Sequence, residues 1–326
     1  MSVVPRGKIS LYGIGGCGTN IVAHYAEVAG KEVPGCAIIE PYYLDSSFAN
    51  VKGAVDPERT FILEEKEGSG KVRTENRVEL ARAIAPVLKK FPPGNLNIVV
   101  SSGSGGSGSV GSIYLTSKLL EDGYPTIVIL VGSDECERSS LNTLNTIKSY
   151  EGVAQKTGKT VMMYYEHLKP ADKRSAIDER IWFVISAISC LASRRNDEMD
   201  LKDIENFVNF SANTSANAQL SVLEVYRSNE EANAAANFAV AVASLLRDPD
   251  SSSIDFRPEY RTTGYPSEPL PSGIECLHFV AGVEPVHGMF KNISKSTEEI
   301  ASAKNARTVR DSIVKSSELD DDGMVF

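Results

Sequence analysis

The stretch of sequence that decides the fold is Ser101-Ser102-Gly103-Ser104-Gly105-Gly106-Ser107-Gly108-Ser109. It follows an apolar, strand-like run at residues 96–100 and precedes a helix-like segment at residues 113–121. The glycines of such a loop allow a sharp turn, so that backbone N–H groups and the positive end of the helix face an anion. A flexible linker has a similar composition, but it would not connect a buried strand directly to a helix. The stretch therefore predicts a phosphate-binding loop.

The composition is that of a large globular protein. The chain has 326 residues, of which 42% are hydrophobic, enough for a core shared by two domains. A formal net charge of −9 argues against direct nucleic-acid binding and against a basic membrane-binding surface. The five scattered cysteines, without a Cys-x-x-Cys pair, predict reduced thiols and no zinc site. Residues 1–8 lack the apolar core of a signal peptide, and the longest apolar run, residues 181–192, is too short to span a bilayer. We therefore expect a cytoplasmic protein.

Strand-like and helix-like segments alternate through the first half of the chain. The predicted strands lie at residues 8–12, 37–39, 96–100, 126–131 and 160–165. The predicted helices lie at residues 19–29, 73–90, 112–121, 140–156 and about 171–193. This alternation predicts an α/β fold, a Rossmann-like doubly wound parallel sheet with helices on both faces. The uninterrupted apolar run at residues 127–131 is typical of a strand buried on both faces.

The second half of the chain predicts a smaller α+β domain. Residues 228–246 are rich in alanine and asparagine and predict a helix, whereas residues 275–280 predict a strand. A polar helix is expected at residues 297–314, before an acidic tail. The chain thus divides into a first domain that includes the long central helix, a second α+β domain, and a C-terminal helix with its tail. The predicted boundaries are residues 1–196, 197–293 and 294–326.

A second glycine loop follows the first predicted strand. Its sequence is Gly13-Ile14-Gly15-Gly16-Cys17-Gly18-Thr19-Asn20, in which Gly13, Gly15 and Gly18 satisfy the dinucleotide-binding pattern G-x-G-x-x-G. With Glu40 as the acid for the ribose, the pattern leaves an NAD(P)-dependent oxidoreductase as the alternative function. Two glycine loops on separate strands favour a nucleoside triphosphate, because a dinucleotide needs one such loop. A P-loop enzyme is disfavoured, since the sequence has no G-x-x-x-x-G-K-[ST] motif.

Both loops resemble those of the tubulin/FtsZ superfamily. Residues 13–22 are similar to that family's first nucleotide loop, G-x-G-G-x-G-x-N-x-V. Residues 104–109 resemble its signature loop, G-G-G-T-G-[ST]-G, with Ser104 and Val110 in place of the first and last glycines. The hydroxyl at the threonine position is kept as Ser107. The two departures indicate a divergent branch of the family.

A third motif resembles the same family. Residues 198–203 are similar to its acidic N-x-D-x-x-D motif, with Glu198 in place of the asparagine. The order and spacing of the motifs agree with the family over residues 7–210. The resemblance implies a tubulin-like fold and a filament-forming GTPase that binds GTP or GDP together with Mg²⁺.

The resemblance also implies the residues of the site. Asp178 would accept hydrogen bonds from guanine N1 and N2 and thereby select guanine over adenine. Asp200 and Asp203 would be the catalytic residues, which orient the attacking water on the nucleotide of the next subunit. No side chain is implied as a direct ligand of the metal. The other residues implied in nucleotide binding are Gly15, Gly16, Cys17, Asn20, Asp45, Gly70, Lys71, Gly103, Ser104, Gly105, Gly106, Ser107, Gly108, Ser109 and Glu137.

Several of these residues also have an ordinary structural interpretation. Asp200 and Asp203 are typical of an N-cap and a first-turn acid of a helix, and Asp45 suits a helix cap as well. Residues 70–71 are typical of a surface turn. Asp178 lies in a charged run that is typical of a solvated helix face. The four histidines are widely separated, which favours structural or surface roles over metal binding.

The end of the chain resembles the phage-encoded tubulins of the PhuZ type. A helix with recurring basic residues at residues 304–315 precedes Asp320, Asp321 and Asp322. The resemblance implies a head-to-tail homopolymer in which this tail docks on the neighbouring subunit. It further implies a cytoskeletal protein that positions or segregates phage DNA in the cytoplasm of the bacterial host.

Overall fold

The computed structural model describes residues 5–29, 35–50, 55–63, 68–270 and 273–305. Its strands are β1 (Lys8–Ile14), β2 (Ile38–Asp45), β3 (Thr60–Ile62), β4 (Leu96–Ser102), β5 (Thr126–Ser133), β6 (Val161–Leu168), β7 (Asn196–Asp197), β8 (Leu220–Tyr226), β9 (Ala241–Leu246), β10 (Tyr260–Pro266) and β11 (Cys276–Gly282). Its helices are α1 (Gly15–Ala29), α2 (Arg77–Lys90), α3 (Ser107–Glu121), α4 (Glu137–Thr157), α5 (Arg174–Leu191), α6 (Leu201–Val208), α7 (Asn229–Asn233) and α8 (Glu284–Asn305).

One continuous sheet runs through the described part of the chain. Its strand order is β3-β2-β1-β4-β5-β6-β8-β11-β9-β10-β7. The six strands from β3 to β6 are all parallel, as the alternation of strands and helices predicted. The short parallel pairing of β6 with β8 joins this half to a mixed second half, in which β11 is antiparallel to both of its neighbours. The doubly wound α/β fold is therefore confirmed, and the domain boundary at residue 196 stays a prediction.

Both glycine loops continue directly into helices. Helix α1 begins at Gly15 and α3 at Ser107, inside the loops and several residues earlier than the sequence predicted. The strands that lead into them are buried almost throughout, with Leu11 and Val99 fully inaccessible to solvent. Each loop is thus the amino end of a helix packed on the sheet, the position where backbone N–H groups have no partner within the helix.

Helix α5 runs from the carboxyl edge of the sheet to the opposite edge. It begins just after the end of β6. Near its far end, the Ser189 carbonyl accepts a hydrogen bond from the Ala37 amide at 2.8 Å, just before β2 begins. The Ser193 carbonyl likewise accepts from the Gly7 amide at 2.9 Å, just before β1. The end of α5 therefore lies at the amino ends of β1 and β2.

The prediction of one helix over residues 228–246 is wrong. Only Asn229–Asn233 is helical there, and Ala241–Leu246 is a fully buried strand between β11 and β10. Alanine favours helices in isolation, but its small side chain also fits where neighbouring layers of the protein approach closely. Tertiary packing therefore overrides the local helix propensity of this segment. The Phe238 carbonyl and ring, for example, press against Gly282 of β11 so closely that a Cβ there would lie 2.3 Å from the carbonyl oxygen.

The C-terminal helix begins earlier than predicted. Helix α8 starts at Glu284 rather than near residue 297 and is described as far as Asn305. It packs on α4, where the Ser140 and Thr297 hydroxyls lie 2.5 Å apart. The rest of the predicted helix and the acidic tail lie outside the described residues. Among the helices that are described, none is long and apolar enough to cross a membrane.

Candidate nucleotide site

A cavity of about 560 Å³ opens at the carboxyl edge of the parallel strands, between α1 and α5. Parallel sheets commonly bind ligands at this edge, where the loops after neighbouring strands meet. Five of the predicted residues line it, from both glycine loops and from α5: Gly16, Cys17, Asn20, Ser104 and Asp178. The lining residues that the sequence analysis did not identify are Ile21, His24, Ser102, Val131, Ser133, Glu135, Leu168, Arg174 and Ile177.

The first loop has room for glycine only at three of its positions, one of which is Gly13, where a Cβ would lie 2.6 Å from the carbonyl oxygen of Gly18. Gly15 has a φ of +68°, and a Cβ there would lie 2.7 Å from the Cα of Gly108 in the second loop. A Cβ on Gly18 would lie 2.1 Å from the carbonyl oxygen of Val100 in β4. At these contacts the first loop packs closely on the second loop and on β4. The glycines are therefore required for packing, independently of any contact with a ligand.

The second loop is braced by hydroxyl groups on one side. The Ser107 amide donates to the Ser69 hydroxyl at 2.8 Å, and the Ser107 and Ser46 hydroxyls lie 2.6 Å apart. The Ser109 hydroxyl turns back to the Gly105 carbonyl at 2.7 Å. The loop is therefore held in one conformation by its neighbours, as a preformed anion site requires.

The turn that contains Gly70 and Lys71 lies beside the cavity. Both residues have positive φ angles, of 53° and 64°. The Lys71 ammonium group is paired with the carboxylate of Glu135, which lines the cavity, and lies 3.0 Å from the Ser139 hydroxyl. That pairing lowers the pKa of Glu135. Lys71 is thus one side chain away from the cavity, paired with a residue that lines it.

The segment after β5 contributes Glu135 to the lining of the cavity, whereas the sequence analysis named Glu137 from the same segment. Glu137 begins α4 and is half-buried, outside the lining of the cavity, although its predicted role in binding is not tested by this geometry. Glu135 is the second residue after the end of β5, and the rule that ligands meet the carboxyl ends of parallel strands could have identified it from the sequence.

Asp45 lies at the carboxyl end of β2 and is almost fully buried. One of its carboxylate oxygens accepts from the Ser46 amide at 2.7 Å, and the Ser46 hydroxyl contacts Ser107 of the second loop. The described residues contain no group of three or more metal-binding side chains. A single carboxylate beside a phosphate loop nevertheless fits Mg²⁺, which commonly binds through one or two carboxylates, water and the phosphates themselves.

Asp178 faces the cavity from the second turn of α5. Burial raises its pKa, while the nearby His24 and Arg174 act in the opposite direction. Burial and the Asp178 carboxylate raise the pKa of the Cys17 thiol to about 12, so Cys17 is a neutral loop residue. Arg174 lies one helical turn before Asp178, a spacing that places two side chains on one face of a helix and could have revealed it in the sequence.

The two acidic residues of the third motif lie at the other end of α5. Asp200 caps α6 and accepts from the amides of Lys202 and Asp203, while the Asp203 carboxylate accepts from the Asp200 amide at 2.9 Å. This capping box is the ordinary structural role that the sequence analysis left open. Asp178 and Leu191 are separated by about 20 Å along the helix axis, at 1.5 Å per residue. Asn196, four residues before Asp200, donates to the Cys190 and Leu191 carbonyls at 3.0 and 2.9 Å, so the acidic pair lies near the far end of α5 and away from the cavity.

The geometry of Glu40 does not suit the alternative function. Glu40 lies near the start of β2 rather than at its carboxyl end, and its carboxylate is paired with Lys8 at 2.6 Å. It is not among the residues that line the cavity. The acid that would bind the ribose of NAD(P) is therefore misplaced, because in dinucleotide folds that residue lies at the carboxyl edge of the sheet.

The site combines two glycine loops, a long helix beneath them and an acidic turn at the far end of that helix. This combination is typical of the tubulin-like fold. Solved structures share this fold. A protofilament of TubZ from bacteriophage PhiKZ superposes with a TM-score of 0.86 at 26% identity and covers 95% of both chains. The phage tubulin PhuZ, solved with GDP, has the same TM-score at 22% identity over 99% of this chain and 100% of that one.

Sequence comparison leads to the same group of proteins. The phage tubulin-like protein of Pseudomonas phage PhiPA3 is 28% identical over 286 residues, which cover 87% of this chain and 90% of that protein. Residues 199–283 match the family described as the C-terminal domain of phage tubulin-like protein. The resemblance to the tubulin/FtsZ superfamily, and within it to the phage-encoded tubulins, is thereby confirmed.

Proposed function

We propose that this chain is a GTPase that assembles head to tail and hydrolyses GTP between adjacent subunits. The observation that carries the proposal is the separation along α5. The phosphate loops lie at one edge of the sheet, and Asp200 and Asp203 follow the other end of the helix. A subunit stacked on the next along this direction brings its own acidic pair to its neighbour's cavity. Such a heterologous contact does not close on itself and therefore produces a filament.

The proposed nucleotide spans the cavity from the loops to α5. Its phosphates lie on the amino ends of α1 and α3, where N–H groups and the helix dipoles favour negative charge. Asn20 and Asp178 lie at the base end, where the Asp178 carboxylate accepts from guanine N1 and N2. Asp45, with the Ser46 and Ser107 hydroxyls, would hold Mg²⁺ and its water ligands near the phosphates. Bound there, the ion would neutralise part of the phosphate charge.

Hydrolysis needs a group that orients water in line with the terminal phosphate. The glycine loops supply backbone donors that stabilise charge on the transferred phosphoryl group. Asp200 and Asp203 of the next subunit supply the carboxylates that position the attacking water. A monomer carries the phosphate-binding loops at its cavity and the acidic pair at its opposite end. The two come together only between adjacent subunits, so assembly activates hydrolysis.

The solved relatives support both parts of the proposal. The TubZ structure is a protofilament, and the PhuZ structure contains GDP. Following the phage relatives, we propose a cytoskeletal role in positioning phage DNA in the host cytoplasm. The acidic chain argues against direct DNA contact, so the cargo would be attached through another protein.

The proposal is tested by measuring phosphate release and light scattering against protein concentration with GTP, ATP and NAD(H). We expect GTP alone to support both, with specific activity that rises with concentration above a threshold. Specific activity that is independent of concentration would contradict hydrolysis between subunits. Filaments without phosphate release would identify a binding protein that has lost hydrolysis, and binding of NAD(H) alone would favour the oxidoreductase.

Base selection is expected to depend on the hydrogen-bond pattern of Asp178. Asp178→Ala should weaken GTP binding by about 10-fold or more and relax discrimination against ATP, because guanine loses its paired acceptor. Asp178→Asn should instead gain affinity for XTP, since the amide can donate to the carbonyl oxygen that xanthine carries at C2. Glu179→Gln removes a neighbouring exposed charge and serves as the matched control. Titration calorimetry with GTP, ATP and XTP measures the outcome, and equal affinity of the wild type for GTP and ATP would refute the assignment.

A further inference from the structure

The second glycine loop has a wall on its other side, formed by α4. The Asn142 side chain is buried in this wall. Its amide group lies 3.1 Å from the Ser104 carbonyl oxygen, 3.4 Å from that of Gly105, and 2.9 Å from that of Lys71. Its two protons are thus shared among three backbone carbonyls of two separate segments.

Thr146, one turn further along α4, continues the same contact. Its hydroxyl lies 3.0 Å from the Gly103 carbonyl oxygen and 2.7 Å from the carbonyl of Asn142. Arg73 donates to both the Thr146 hydroxyl and the Asn142 carbonyl, at 3.1 and 3.2 Å, and so braces the pair from behind. Three consecutive loop carbonyls, of residues 103–105, are therefore held against α4.

The direction of these carbonyls determines where the N–H groups point. In a trans peptide, the C=O and N–H of one unit point in opposite directions. With the Ser104 and Gly105 carbonyls turned toward Asn142, the N–H groups of Gly105 and Gly106 are turned away from α4. Those are donors that an anion on this loop would use. Asn142 also ties the Lys71 turn to the loop, so it fixes both phosphate-facing segments relative to each other.

We infer that Asn142 is a positioning residue for the phosphates, an inference that rests on the proposed nucleotide site. It acts through the peptide groups of the loop and of the Lys71 turn, and it makes no contact with the base end of the cavity. Asn142 therefore contributes to the part of the nucleotide-binding free energy that comes from the phosphates. It does not contribute to the part that comes from the base.

The test compares Asn142→Asp with Asn145→Asp in the full chain. The first change places a carboxylate against three carbonyl oxygens, and the second makes the same chemical change on the exposed face of α4. We expect Asn142→Asp to weaken GDP and GTP binding by about 10-fold or more while guanosine binds as in the wild type. Asn145→Asp should change none of these affinities. Asn142→Ala, which removes the donors without adding charge, should give a smaller loss of the same kind.

Equal losses for guanosine and GDP would show a merely structural role and overturn the inference, as would unchanged GDP binding in both Asn142 variants. Should Asn142→Asp fail to fold, as judged by circular dichroism and melting temperature, the Asn142→Ala comparison decides. A wild type that binds GDP, with variants that bind it equally well, refutes the positioning role alone. A wild type that binds neither GDP nor GTP refutes the proposed function with it.

A second and independent observation concerns two cysteines far from the cavity. The Sγ atoms of Cys36 and Cys190 lie 2.9 Å apart and are buried. The hydrogen bond between the Ala37 amide and the Ser189 carbonyl fixes the backbone beside both of them. The other cysteines have different neighbours: the Cys136 thiol contacts Ser139, and the Cys276 thiol contacts the Arg227 carbonyl.

The environment of the pair favours reaction at Cys36. The Cys190 thiol and the Ser189 hydroxyl, together with the charge of Arg6, hold the pKa of Cys36 below its usual value. Arg6 is fixed there by two donations to the Cys36 carbonyl, at 2.9 and 2.7 Å. Cys190 lines a cavity of about 330 Å³ whose other walls include Tyr25 and Trp182. This cavity reaches the Cys190 side of the pair, and the Cys36 sulfur lies 2.9 Å behind it.

We propose that Cys36 and Cys190 are a site of reversible oxidation by peroxide. The Cys36 sulfur attacks one peroxide oxygen, the O–O bond breaks, and a sulfenic acid and water form. The Cys190 sulfur then attacks the Cys36 sulfur, the S–S bond forms as the S–O bond of the sulfenic acid breaks, and the hydroxyl leaves with the Cys190 proton as a second water. Two thiols are oxidised and one peroxide is reduced to two waters. The disulfide joins the residues before β2 to the last turn of α5.

The test is peroxide treatment of the folded protein, followed by alkylation and peptide mass spectrometry without and with dithiothreitol. We expect a single intramolecular link between the peptides that contain Cys36 and Cys190, reversed by dithiothreitol. Cys36→Ser and Cys190→Ser should each abolish it, and Cys276→Ser, at another buried cysteine, should not. The absence of this link in oxidised wild type overturns the proposal.

Discussion

Asp200→Asn and Asp203→Asn variants are expected to bind GTP and form filaments while hydrolysing GTP about 100-fold more slowly or worse. These variants lack the carboxylates that we propose position the attacking water on the neighbouring subunit. Asparagine remains a good N-cap, and its side-chain oxygen can still accept the backbone hydrogen bonds that Asp200 and Asp203 accept in the capping box. Alanine would also destabilise α6, at a cost of about 0.5–2 kcal/mol. The asparagine variants therefore separate catalysis from capping.

Mixed assembly provides the matching control. A subunit that cannot bind GTP but keeps Asp200 and Asp203 should restore hydrolysis on an Asp203→Asn neighbour, because the two contribute different halves of one site. Phosphate release per bound nucleotide, measured across mixing ratios, follows this complementation. Wild-type specific activity in either asparagine variant would refute the catalytic role and leave capping as the function of both residues.

Removal of residues 318–326 is expected to abolish filaments or to raise the critical concentration by about 10-fold or more. The tail carries Asp320, Asp321 and Asp322 and ends in three apolar residues, beyond a predicted basic helix. Exposed ion pairs contribute only about 0–1 kcal/mol each, but every subunit repeats the contact, and about 1.4 kcal/mol changes an association constant tenfold. The tail itself lies outside the described residues, and its docking on a neighbour stays a prediction.

Pelleting at low and high salt, with and without the tail, measures this effect. Replacement of the three aspartates by alanine should mimic the truncation, and added salt should mimic it in the wild type, because salt screens such pairs. Deletion of residues 324–326 alone separates the apolar contribution from the charges. The truncated monomer should keep its melting temperature and its GTP affinity. Unchanged pelleting of the truncated protein at low salt would show that the tail is a solvated end.

The local motifs were readable from the sequence because each is complete within a few residues. A buried strand, a glycine loop and a helix start within one short stretch predicted both loops as phosphate-binding, and residues of both line the cavity. The acidic motif identified Asp200 and Asp203 in the same way. The alternation of apolar strands and helices predicted the parallel sheet, since each segment carries its own periodicity.

Tertiary structure alone decided what depends on distant segments. Ala241–Leu246 is a strand because buried neighbours surround it, although its composition favours a helix. Glu40 is excluded from the cavity, and Glu135 enters it, because of their positions relative to the ends of their strands. The loop is bonded to Asn142, which lies 37 residues from Gly105 in the sequence. The placement of Asp178 and Asp200 at opposite ends of α5 follows from the rigidity and length of a helix packed across the sheet, which sequence spacing alone does not reveal.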